Sequence, residues 1–143
     1  MIPGLTKADA WNYSALQLAY IGDSVYSLQM RLYALGKGIG PRLMHAVTTG
    51  MVSAVAQAKA LETIYDALSQ EEKEIAKRGR NAHARHQAPK SASVAEYSSS
   101  TGLEALIGFL YLTGQSGRID TLIETIVKDT FEKDSDARNK PAH

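Results

Sequence analysis

"LAYIGDSVY", Leu18–Tyr26, holds one charge in an otherwise apolar and small-residue run. Asp23 is the only charged residue between Asp9 and Arg31. The surrounding spacing is helical. Leu18, Ile21, Val25, Leu28, Leu32 and Leu35 recur every three or four residues, Asn12 or Ser14 can cap the start, and Gly36 stops the helix. At 100° per residue Asp23 falls nearly opposite that stripe, beside Leu16, Ala19, Ser27, Met30 and Ala34. Both faces are apolar or small, so the helix is expected to be buried nearly all round. The main stripe is expected on the protomer's own helices, and the Asp23 face against another helix or a partner subunit.

The pattern recurs once. From Tyr97 to Gly117 the only charge is Glu104, in "STGLEALIGFLYL". Gly108 lies one turn beyond Glu104, and Gly22 adjoins Asp23. Glycine inside a helix costs about 1 kcal/mol relative to alanine, so its presence beside each lone acid points to close helix crossing. Two acids converging there would form a hard-oxygen site suited to Mg²⁺. The same residues also fit a structural reading. "TGLE" at Thr101–Glu104 has the form of a capping box, and Asp23 has Tyr and Ser hydroxyls near it in sequence. Spacing alone leaves both readings open.

The rest of the chain is also helical in pattern. "GKGIGP" (Gly36–Pro41) reads as a loop, followed by a short helix around Arg42–Thr49 and a longer one from about Met51 to Leu68. "SQEE" (Ser69–Glu72) starts a polar helix to about Ala84. A loop over Arg85–Ser93 leads to a helix from about Ser99 to Thr113 and a last one over Ile119–Phe131. No strand-like alternation or internal repeat is present. The fold class is all-α, with residues 1–12 as an N-terminal arm, 13–133 as one domain and 134–143 as a disordered tail.

Composition excludes several function classes. The 143 residues are 44% hydrophobic and 22% charged, with 16 Lys+Arg against 15 Asp+Glu. A net charge of +1 names no partner globally. The absence of cysteine removes disulfides, thiolate metal sites and a thiol nucleophile. The N-terminus lacks a signal-peptide pattern, and no uncharged run is long and apolar enough to span a bilayer, so a cytoplasmic protein is expected.

One segment breaks the charge balance. From Ile75 to Ala95 there is no acid, while Lys77, Arg78, Arg80, Arg85 and Lys90 stand there with Asn81, His83 and His86. Such a patch suits a phosphate backbone. No aromatic residue interleaves it, which favours a duplex surface over stacked single strands. The cations around His83 and His86 argue against a metal site there. A solvated helix face remains the alternative.

With these residues in hand, the sequence resembles the ribonuclease III family. "LAYIGDSVY" resembles its acid-bearing signature helix, and "STGLEALIGFLYL" its second motif. "VSAVAQAKAL" (Val52–Leu61) and "KRGRNA" (Lys77–Ala82) are similar to stretches of the short subfamily, Mini-ribonuclease III, which lacks a double-stranded RNA-binding domain. The similarity spans about residues 13–130. It implies a helical endonuclease domain, a homodimer with signature helices about a twofold axis, and cleavage of double-stranded RNA to 5′-phosphate and 3′-hydroxyl ends. It further implies Mg²⁺ on Asp23 and Glu104 as catalytic residues. Lys77, Arg78, Arg80, Asn81, His83, Arg85 and Lys90 would bind RNA, and large-subunit ribosomal RNA would be the substrate, with a ribosomal protein as a candidate presenter. Two acids of the standard family pattern are missing, since Ala19 and Thr101 occupy their positions, as they do in the short subfamily. The rival expectation is a non-catalytic RNA-binding or ribosome-assembly protein that keeps the fold.

Overall fold

Two pairs of glycines decide how the helices stack. A side chain on Gly22 would run into the backbone carbonyl of Glu104, and one on Gly108 into the carbonyl of Leu18. On the other flank, a Cβ on Gly79 would lie 2.7 Å from the Cα of Gly102 and 2.9 Å from the Cβ of Ala105. The helix carrying Gly102 and Gly108 is therefore gripped backbone to backbone from two sides.

The computed structural model describes residues 4–82 and 90–132. It contains α1 (Lys7–Trp11), α2 (Ala15–Gly36), α3 (Pro41–Met51), α4 (Ala54–Ile64), α5 (Gln70–Asn81), α6 (Val94–Leu112) and α7 (Ser116–Ile126). A 3₁₀ turn at Tyr65–Ala67 follows α4, and a π-helical turn at Val127–Glu132 follows α7. All regular structure among these residues is helical, which bears out the all-α expectation. None of these helices is long and apolar enough to cross a membrane. The expected tail, 134–143, lies outside the described residues.

α6 is the hub, packed against α2, α4 and α5. From Ser100 to Leu110 every residue is buried except Glu104. Leu103, Leu106, Ile107, Phe109 and Leu110 are fully enclosed. Each such side chain contributes roughly 1.5–3 kcal/mol of transfer free energy. α6 begins earlier than the expected Ser99. Ser93 accepts from the Glu96 N–H, and the Glu96 carboxylate accepts from the Ser93 N–H, both at 3.0 Å. That box starts the helix at Val94, so Thr101–Glu104 lies inside it and the capping alternative for Glu104 is removed.

α2 corrects two expectations. Its packed side is Leu18, Ala19, Gly22, Tyr26, Met30 and Ala34. Most of the regular stripe faces outward, with Leu28, Leu32 and Leu35 at 54%, 51% and 62% exposure. The small-residue side meets α6 because only small residues allow the Gly22–Gly108 crossing. Asp23 sits at the edge of that packed side and is exposed, so the helix is not buried all round.

Residues of the expected N-terminal arm pack on α6. Ala10 is fully buried, the Leu5 N–H donates to the Leu112 carbonyl at 2.8 Å, and Trp11 meets Phe109 edge-on at 6.1 Å. Apolar area on Trp11 is what docks the segment.

Candidate active site

The Gly22–Gly108 crossing sets the positions of both lone acids. It lays the α2 backbone against the carbonyl of Glu104, and Asp23, the next residue on α2, then meets the Glu104 carboxyl. Glu104 is half-buried and Asp23 exposed in front of it. Burial, then the charge of Asp23, then a side-chain hydrogen bond with Asp23 push the Glu104 carboxyl up to about 8. Glu104 thus keeps its proton at neutral pH, in its hydrogen bond with Asp23. Neither acid enters any of the three ion pairs among the described residues.

This arrangement fits a hard divalent cation. Two carboxylates within hydrogen-bond reach supply anionic oxygen, and a cation between them would replace the Glu104 proton. No cluster of three or more metal-ligating side chains occurs among the described residues. The set therefore suits Mg²⁺, which commonly takes one or two carboxylates and completes its octahedron with water and substrate oxygens.

The basic segment divides between two faces of α5. Lys77, Arg80 and Asn81 line a groove of about 630 Å³ with Tyr65, Gln70, Lys73 and Glu74. The stem of Arg80 runs along Gly102, so α6 positions this groove and the acid pair from residues two apart. Lys73 extends the face by one turn, with its Nζ 5.0 Å from the Tyr65 ring centre. The sequence reading missed it, although a spacing of four from Lys77 signals a shared face. Arg78 points elsewhere. Its guanidinium lies 4.8 Å from the Trp11 ring centre, Nη2 donates to the Tyr13 carbonyl at 3.0 Å, and Nη1 is buried without a hydrogen-bond partner among the described residues. Lys90 is exposed, while His83 and Arg85 lie outside the described residues.

A ribonuclease III domain matches residues 16–115, which include both acids and the basic helix. The chain belongs to the ribonuclease III family. Proteins named Mini-ribonuclease 3 from Thermoanaerobacter sp. and Symbiobacterium thermophilum are 42% and 43% identical to it, over 87% and 76% of this chain and 87% and 84% of theirs. A crystal structure of a Fusobacterium nucleatum protein superposes with a TM-score of 0.75 at 33% identity, covering 82% of this chain and 94% of that one. Against the standard ribonuclease III pattern, the positions of the two missing acids are filled by packing. Ala19 is buried at the α2 crossing. Thr101 is buried too, and its hydroxyl donates to the Tyr97 carbonyl at 3.1 Å.

Proposed function

We propose that this endoribonuclease cleaves double-stranded RNA with Mg²⁺ held by Asp23 and Glu104. The observation that carries this is the facing pair itself, two carboxyls in a hydrogen bond with each other, neither paired with a cation among the described residues. Mg²⁺ bound there supplies Lewis-acid activation of a water and offsets charge on the scissile phosphate. Asp23, exposed, presents its oxygens to the substrate side. Glu104, half-buried on the hub helix, fixes the depth of the site and would hold the cation as a carboxylate, without the proton it keeps in the metal-free fold. The products carry 5′-phosphate and 3′-hydroxyl ends.

Lys77, Arg80 and Asn81 with Lys90 hold the sugar-phosphate backbone, and His83 and Arg85 continue the same basic run in sequence. Arg78 acts through the fold, by clamping Trp11 and Tyr13 onto α5. Two protomers pair through the outward stripe of α2, where the exposed Leu28, Leu32 and Leu35 leave an apolar face to cover. The Asp23 face stays free for RNA on each protomer. Maturation of large-subunit ribosomal RNA is the role this reading favours, with a ribosomal protein as candidate presenter.

The test is cleavage of a structured RNA in Mg²⁺ by the wild type and by Asp23→Asn, with EDTA as control. Loss of cleavage in the variant and in EDTA is expected. Undiminished cleavage by Asp23→Asn would overturn the assignment, and a wild type that binds duplex RNA without cutting it would favour the non-catalytic rival.

A further inference from the structure

The circumference of α2 divides into three sectors. One packs on α6, one is the outward apolar stripe, and the third holds Asp23, Ser27 and Arg31 at spacings of four. Followed from Asp23 toward the C-terminus of α2, the third sector runs into α3. There the two helices enclose a groove of about 530 Å³, lined by Ser27 and Arg31 from α2 and by His45, Thr48 and Thr49 from α3, among others.

Three features mark this groove as an anion site. Its lining contains no carboxylate among the described residues, whereas three other surface grooves carry Glu62, Asp66 and Glu96, or Glu74, or Asp120. Arg31 is exposed and enters none of the three ion pairs among the described residues, so none of them offsets its charge at contact distance. Ser27 lines it with a hydroxyl group and His45 adds an imidazole nitrogen, while the Thr49 hydroxyl donates to the His45 carbonyl at 2.7 Å.

From these observations we infer that the α2–α3 groove is a second phosphate subsite for the RNA strand cut at Asp23 and Glu104. The inference rests on the proposed nuclease reading. At 1.5 Å rise per residue, Arg31 stands ~12 Å along α2 from Asp23. A strand of the A-form duplex lying along the helix covers that distance within a few nucleotides. Arg31 grips the phosphate at that remove, His45 supplies a second donor from α3, and Ser27 lies under the backbone between the two sites. The basic face of α5 is a separate contact, reached through α6.

The experiment measures binding of a labelled RNA duplex in EDTA and cleavage of the same duplex in Mg²⁺. Arg31→Ala should raise Kd about tenfold and reduce the slope of log K against log salt by about one. Its kcat at saturating duplex and its melting temperature should stay at the wild-type values. Arg31→Lys should recover most of the affinity, because a phosphate needs the charge more than the fork. A duplex with one neutral methylphosphonate linkage, moved along the cut strand, should lose the same factor at one position with the wild type and nothing there with Arg31→Ala. Unchanged Kd and salt slope in Arg31→Ala, with a wild type that binds and cuts, overturn the subsite alone. A wild type that neither binds nor cuts the duplex overturns the subsite together with the nuclease reading.

Discussion

Glu72 and Glu104 each close a four-residue string of the form Ser/Thr-x-x-Glu, and the fold uses them in opposite ways. Glu72 caps α5. Its carboxylate accepts from the Ser69 N–H at 2.8 Å and from Arg118 Nε and Nη2, both at 2.9 Å. Burial alone would raise this carboxyl, but the Arg118 and Ser69 hydrogen bonds and the Arg118 charge bring it below its ordinary value. Glu104 sits mid-helix, burial raises it too, and the group it faces is another acid. A buried carboxylate matched by a cation of its own fold is architecture. One left facing a second carboxylate has a place for a cation from outside.

The contrast breaks if the two glutamates respond alike to loss of charge. Glu104→Gln should lower cleavage by roughly 10³-fold or more, the scale of several kcal/mol of metal-derived transition-state stabilisation. Its metal-free melting temperature should match the wild-type value at neutral pH and exceed it above pH 8, because glutamine stays neutral where Glu104 ionises beside Asp23. Cleavage within tenfold of wild type would dissolve the distinction. Glu72→Gln should do the reverse, losing about 2 kcal/mol in urea unfolding while each folded molecule keeps its kcat. That figure lies below the roughly 3–5 kcal/mol of a fully buried pair because Arg118 is partly exposed (31%). An unchanged urea midpoint would reduce the Arg118 pair to an ordinary surface contact.

The sequence made the α2–α6 crossing legible. Glycine is disfavoured inside helices, so Gly22 and Gly108, each near the only acid of a long uncharged run, could be read as backbone contact, and that contact is present. Which side of α2 met α6 was not legible, because periodicity identifies faces and not the elements that cover them. The regular leucine stripe made the stronger pattern and turned out to be the outward one. The start of α6 was misread for a local reason. "SSST" resembles a loop, yet the hydroxyls of Ser100 and Thr101 donate to the Tyr97 carbonyl within the helix. Arg78 was grouped with its basic neighbours by proximity, although it falls well off the face shared by Lys73, Lys77 and Arg80. Its partners Trp11 and Tyr13 are more than sixty residues away in sequence, beyond the reach of any local pattern.

The smallest effect, and the most selective, is the pH dependence of stability. In the unfolded chain Glu104 titrates near its ordinary 4.5, and in the metal-free fold it keeps its proton to about 8. Between those values the folded chain binds more protons than the unfolded one, so this residue's contribution to stability falls as pH rises. Glu72 has the opposite sign in a different window. Its contribution is present above 4.5 and is lost as pH falls through its lowered folded value. Mg²⁺ should act on the Glu104 window alone, since it takes the place of the proton. At a Mg²⁺ concentration ten times Kd the gain is about 1.4 kcal/mol. The Mg²⁺-induced rise in melting temperature should grow from pH 6 to pH 8, persist in Glu72→Gln and vanish in Glu104→Gln. A rise that is flat across that range, or that survives in Glu104→Gln, would place the cation away from the Glu104 proton and remove the basis for treating the two glutamates as different kinds of residue.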